Sequence, residues 1–111
     1  MANPQTAEMA TITKRDLVRE VSNKTGLTQS QTYEVLQEAF DMIIFELARA
    51  NTVVVRNFGT FEVTEAKAKV GRNPKDPSNP VPIPARAVAK FKAGKEMKEK
   101  VARVLPLLQK S

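Results

Sequence analysis

Neither cysteine nor histidine occurs in the 111 residues. The first absence excludes disulfides and thiolate metal sites, and the second removes imidazole as base, proton shuttle or ligand. Aromatic residues are scarce as well, with five Phe, one Tyr and no Trp. A chain of this length is one domain, and at 41% apolar residues it can bury only a modest core. Domains with so little to bury are often completed by a partner chain, so oligomerisation is expected. No apolar run reaches the ~18 residues needed to span a bilayer, and the opening MANPQTAEMATI lacks the basic-then-apolar order of a signal peptide. The default expectation is a soluble intracellular protein. Without His or Cys, catalysis would fall to carboxylates or lysines gathered in a cleft, whereas the acids here lie mostly on a predicted helix surface. An enzyme is therefore not expected, and neither metal nor cofactor is.

The formal charge of +6 is unevenly placed. Residues 1–12 carry one acid and no base, residues 13–50 five bases against six acids, and residues 51–111 thirteen bases against five acids. A basic half joined to a near-neutral half is the footprint of a polyanion-binding surface, with nucleic acid the commonest partner and an anionic membrane next. The bland alternative is a lysine-rich surface that keeps the chain soluble.

In chain order, residues 1–12 are small and polar and read as a flexible extension. Thr13 can cap a helix beginning at Lys14, with Asp16 completing a capping-box pattern, and Leu17, Val18 and Val21 then share a face until Gly26. Thr28 and Gln31 repeat the pattern. Tyr33, Leu36, Phe40, Ile43, Ile44 and Leu47 step by three and four, which predicts a second helix over about 29–50. Two helices joined by TGLT fit a helix-turn-helix, but Glu34, Glu38, Asp41 and Glu46 on the second would repel phosphates, so a scaffold is the better reading.

From Asn51 the period changes to two. TVVVRNF is rich in β-branched residues, Gly59 marks a tight bend, and FEVTEAKAKV alternates with Phe61, Val63, Glu65, Lys67 and Lys69 on one side. A strand whose inward side turns from Phe and Val into lysines is leaving the core; residues 66–74 would reach about 30 Å at ~3.3 Å per residue. A proline-loaded reversal within KDPSNPVPIP leads into VPIPARAVAKF, residues 81–91, which alternates again, restores an apolar member in Phe91 and reads as a returning strand. Together these predict a two-stranded basic ribbon over about 66–84, with prolines suited to its exposed edges. AGKEMKEKVARVL reads as a basic helix ended by Pro106, with residues 106–111 as a tail. Arg72 and Asn73 can read acceptors on a minor-groove floor, and the ring of Pro74 can wedge between base steps. Asn-Pro is equally a common turn pair.

GRNP at 71–74, preceded by NFGTFEV at 57–63 and followed by IPARAVAKFKAGKEMK at 83–98, resembles the signature of the HU/IHF family of bacterial histone-like DNA-bending proteins. The resemblance covers about residues 13–105. It implies an α+β fold in which two chains intertwine their helices into a body, each with a three-stranded antiparallel sheet extended into a β-ribbon arm, and a short C-terminal helix. Pro74 would be the intercalating residue and Arg72 and Asn73 its groove-contacting neighbours. Lys69 and Arg86 match arm positions that are usually basic, and Lys67 and Lys75 add charge along the same ribbon. Lys14, Lys90, Lys92 and Lys95 match positions that meet phosphates on the body. Phe58, Phe61 and Phe91 match the aromatic core, and Leu36, Phe40, Ile43, Ile44 and Leu47 would serve the core and dimer interface. The implied partners are duplex DNA and an identical or related subunit, in the cytoplasm at the nucleoid.

Three departures from the family pattern stand out. Asn57 replaces a glycine usual in the G-F-G turn. The ribbon tip is one residue longer than in typical members, and KDPSNP replaces a short turn containing Thr-Gly. Arg86 is closer to integration host factor and Pro84 to HU. An RNA-binding or membrane-surface module, or a purely structural oligomerisation module, remains as an alternative use of the same basic surface.

Overall fold

Two reciprocal caps set the helices. In the computed structural model, which describes residues 9–109, Asp16 N donates to Thr13 Oγ1 at 3.3 Å and Thr13 N donates to Asp16 Oδ2 at 2.9 Å. The bond from the Thr13 backbone is the main reason the Asp16 carboxyl sits below its ordinary pKa, aided by the Thr13 hydroxyl and by Arg19. Helix α1 spans Lys14–Thr25 and closes on Gly26, which at φ 81° adopts the left-handed conformation and donates its N–H to Ser22 O. The second box forms as the spacing predicts: Gln31 N to Thr28 Oγ1 and Thr28 N to Gln31 Oε1 are both 3.0 Å. Helix α2 then runs Gln29–Ala48, two residues shorter than expected, as the chain turns through Ala50 at φ 65°.

The chain divides into two compact units, Met1–Ile44 with Lys100–Ser111, and Phe45–Glu99. In the first unit Val18 is the one buried hydrophobic residue among all those described. The two buried polar residues are satisfied locally: Ser22 Oγ donates to Leu27 O at 2.7 Å and Thr32 Oγ1 to Thr28 O at 2.8 Å. Leu36, Phe40, Ile43 and Leu47 of α2 are only half-buried, and Ile44 is 64% exposed. The modest core expected from composition is thus not closed by a single chain.

Residues 1–8 of the N-terminal extension and residues 110–111 of the tail lie outside the described residues; residues 9–12 are exposed and without regular structure. The C-terminal helix departs from expectation. Helix α3 covers Lys95–Ala102, and a separate short helix, α4, covers Leu105–Gln109. Pro106 does not end a helix but lies in the first turn of α4, where its missing N–H sacrifices no intrahelical bond. No helix among the described residues is long and apolar enough to cross a membrane.

The second unit is built on an antiparallel sheet of order β1-β2-β5, with β1 Val53–Val55, β2 Gly59–Ala66 and β5 Arg86–Ala93. The register Phe61↔Phe91, Val63↔Ala89 and Val53↔Phe61 gathers the apolar residues on one face. There the three phenylalanines meet: ring centroids are 4.8 Å apart for Phe61–Phe91, 5.6 Å for Phe58–Phe91 and 6.4 Å for Phe58–Phe61. The cluster is not a closed core: Phe61 is half-buried, while Phe58 and Phe91, expected in the aromatic core, remain 47% and 43% exposed because no described residue covers their outer side. Gly59 is buried under the Phe91 ring, which approaches so closely that a Cβ there would lie 2.4 Å from it. The bend itself is made by Asn57, at φ 68°. Asparagine is among the few non-glycine residues that enter this region readily, which accounts for its standing where a glycine is usual.

Strands β3, Lys69–Asn73, and β4, Asp76–Ile83, form a second, two-stranded antiparallel sheet. Pairing lapses at residues 67–68 and 84–85, yet the register on the two sides, Ala66↔Arg86 and Lys69↔Ile83, stays in step. The returning strand thus starts earlier than expected, since residues 76–80 of the proline-loaded reversal also belong to β4. Pro80 and Pro82, two residues apart, present the same edge of β4, which has no outer neighbour; the ladder is left to Val81 and Ile83.

Candidate nucleic-acid interface

The turn of the β3–β4 ribbon is Pro74 and Lys75, between the paired residues Asn73 and Asp76. A regular two-residue hairpin takes a type I′ or II′ turn with positive φ, which a proline at the first position cannot adopt. Neither Pro74 nor Lys75 has positive φ. The mismatch in twist is taken up next door. The register shifts between Arg72↔Pro80 and Asn73↔Asp76, leaving residues 77–79 as extra residues in β4. Side chains brace the tip: Lys75 N donates to Asn73 Oδ1 at 3.0 Å, Ser78 Oγ to Asp76 Oδ1 at 2.7 Å, and Arg72 Nη1 to Pro77 O at 3.3 Å. The first is a side-chain-to-backbone turn of the kind Asn favours, and the second joins two side chains.

Between residues 66 and 86 the sequence holds five cations, Lys67, Lys69, Arg72, Lys75 and Arg86, against one acid, Asp76. All five cations and Pro74 are exposed, and Asn73 is half-buried. Alternation along β3 sets Lys69 and Asn73 on one face of the ribbon and Arg72 on the other. The ribbon therefore carries positive charge on both faces and an apolar ring at its turn.

On β5 the residues Arg86, Lys90 and Lys92 share the face opposite the phenylalanines. Lys92 is held there in an ion pair, its Nζ 2.9 Å from Glu62 Oε1, so binding a phosphate would mean leaving that carboxylate. Lys95 opens α3 and is exposed. Lys14 belongs to the other unit, where its Nζ hydrogen-bonds Gln37 Oε1 and lies 5.0 Å from the centre of the Tyr33 ring. The structure thus brings Lys67, Lys69, Arg72, Asn73, Pro74, Lys75 and Arg86 together on or beside one ribbon, and Lys90 and Lys92 on one sheet face. The acceptor for Arg72 was not foreseeable: it is a backbone carbonyl, and residue type carries no signal for it. No group of Asp or Glu among the described residues could hold a metal ion.

Residues 12–102 match the family model described as "Bacterial DNA-binding protein". The chain belongs to the HU/IHF family. Its HU/IHF relatives include the DNA-binding protein HU of Thermotoga maritima, 39% identical over 90 residues that make up 81% of this chain and 99% of that one. Integration host factor subunit alpha of Sinorhizobium medicae is 35% identical over 91 residues, 82% of this chain and 80% of that one. Among solved structures, HU of Anabaena in a cocrystal with DNA superposes with a TM-score of 0.76 at 41% identity, covering 81% of this chain and 97% of the other. The HU/IHF match ends at residue 102, so α4 lies beyond it.

Proposed function

We propose that the chain is an architectural DNA-binding protein that bends and compacts duplex DNA. The observation that carries this reading is the β3–β4 ribbon, cationic on both faces and turning at an exposed proline. It is supported by family membership and by the likeness to HU in complex with DNA. The ribbon enters the minor groove as an arm. Lys67, Lys69, Lys75 and Arg86 meet phosphates along the arm, Arg72 and Asn73 reach groove acceptors, and Pro74 inserts between base steps. Lys14, Lys90, Lys92 and Lys95 supply phosphate contacts on the body. Each phosphate neutralised releases condensed counterions. Unstacking a base step costs a few kcal/mol, which the contacts made along the bent duplex offset. Selectivity then follows deformability and groove width more than base-edge hydrogen bonds.

The working form is a dimer, with an identical or related subunit. Ile44 and Phe45, 64% and 54% exposed on α2, are apolar surfaces that a second chain would cover. The protein acts in the cytoplasm, associated with the nucleoid, and no catalytic step is assigned to it.

Pro74→Ala tests the wedge. With donor and acceptor dyes on the ends of a short duplex, the variant should show a clearly smaller bend while its Kd changes less than about threefold. An unchanged bend angle overturns the assignment of Pro74. Competition of the duplex with RNA and with anionic vesicles tests the ligand class; equal displacement by either overturns the preference for duplex DNA.

A further inference from the structure

We infer that the bulge at residues 77–79 of β4 is a positioning element for Arg72, holding its guanidinium in place before DNA arrives. The inference rests on the DNA-bending reading and concerns how the arm is made ready for it. Pro74 at the first turn position rules out a regular two-residue hairpin, and the three extra residues absorb the mismatch. That bulge brings the Pro77 carbonyl to 3.3 Å from Arg72 Nη1. It also frames a cleft of about 380 Å³ between the strands, lined by Val70, Arg72, Pro77, Ser78 and Pro80.

The bulge is stiff for identifiable reasons. Proline fixes φ at residues 77 and 80, on either side of Ser78 and Asn79. Ser78 Oγ is bonded to Asp76 Oδ1 at 2.7 Å, which ties the middle of the bulge to the turn. The acceptor offered to Arg72 is neutral. A carbonyl orients the guanidinium without cancelling its charge, as pairing with the neighbouring Asp76 carboxylate would do. A guanidinium has five N–H donors, so one bond to Pro77 leaves the others for groove acceptors or phosphate. An arginine already ordered loses less conformational freedom on binding, and binding gains by that difference. Arg72 is the groove residue; Pro77 acts only through it.

The test begins on the free full-length chain, without DNA. Relaxation of arginine Nε–Hε groups should give Arg72 an order parameter about 0.2 or more above that of exposed Arg86. Replacing Ser78 with its α-hydroxy acid turns the Pro77 carbonyl into an ester, a weaker acceptor with every side chain retained; the Arg72 value should fall to that of Arg86. The same ester should weaken binding to a short duplex three- to tenfold when Arg72 is present and less than twofold in Arg72→Ala. Pro77→Gly, which loosens the bulge, should reproduce this dependence on Arg72 should the ester chain fail to fold. Equal order at Arg72 and Arg86, or equal losses in both backgrounds, overturns the inference. A wild-type chain that leaves the duplex unbent instead overturns the DNA-bending reading, whatever the order of Arg72.

Discussion

Asn57 shows how one residue can depart from a family pattern and keep its geometry. Its φ of 68° lies where most side chains collide with the backbone, and the bend it makes carries Phe58 to Phe61 and Phe91. Asn57→Ala should cost about 1–2 kcal/mol in chemical denaturation, whereas Asn57→Gly should leave stability equal or higher. A neutral alanine variant would mean the bend is not held by this residue. Asp16 gives a second prediction, in pH. Its folded pKa lies below the ordinary 3.8, so its contribution to stability is complete above that value and is lost as pH falls through the folded pKa. Helicity followed during acid titration should therefore fall more steeply in the wild type than in Asp16→Asn. Parallel curves would show that the cap carries none of the acid sensitivity.

Among the elements, the ribbon makes the strongest prediction because its charges stand on defined faces. Lys69→Ala should lower the slope of log K against log salt by about 0.9, the value for one phosphate contact on duplex DNA. A slope equal to the wild type's would place Lys69 away from the duplex. The elements also differ in how legible they are in the sequence. Helices α1 and α2 were readable to within two residues because Thr13/Asp16 and Thr28/Gln31 write their starts in side-chain chemistry, and Gly26 writes a stop. The β2–β5 pairing was readable from alternation alone. The tip was not. KDPSNP looks like a loop because it is rich in turn residues, but on a strand with a free edge its prolines sacrifice no ladder bond, so residues 76–80 join the returning strand in β4. Pro106 misled for a related reason, since a proline that stops a helix from one side is welcome in the first turn from the other. Of the candidate site, residue types pointed to the cations and Pro74, whereas the opposite faces of Lys69 and Arg72 follow from strand geometry.

At the scale of the whole molecule, the deciding fact is how little the chain buries by itself. A single buried hydrophobic residue among those described does not stabilise a domain of this size, so folding and association should be one event. Thermal midpoints should accordingly rise with protein concentration. Ile44→Glu should weaken dimerisation a hundredfold or more, about 2.7 kcal/mol, as read by sedimentation equilibrium. A concentration-independent midpoint and an unaffected Ile44→Glu would mean the chain is stable alone. The lapse in pairing between β2–β5 and β3–β4 has its own consequence. Two successive rungs without cross-strand bonds form a soft joint, and the unbroken register on either side means that flexing there cannot make the strands slip. A duplex of any local curvature could thus be met by a swing of the ribbon at its root, with the tip still presenting the same residues to the groove.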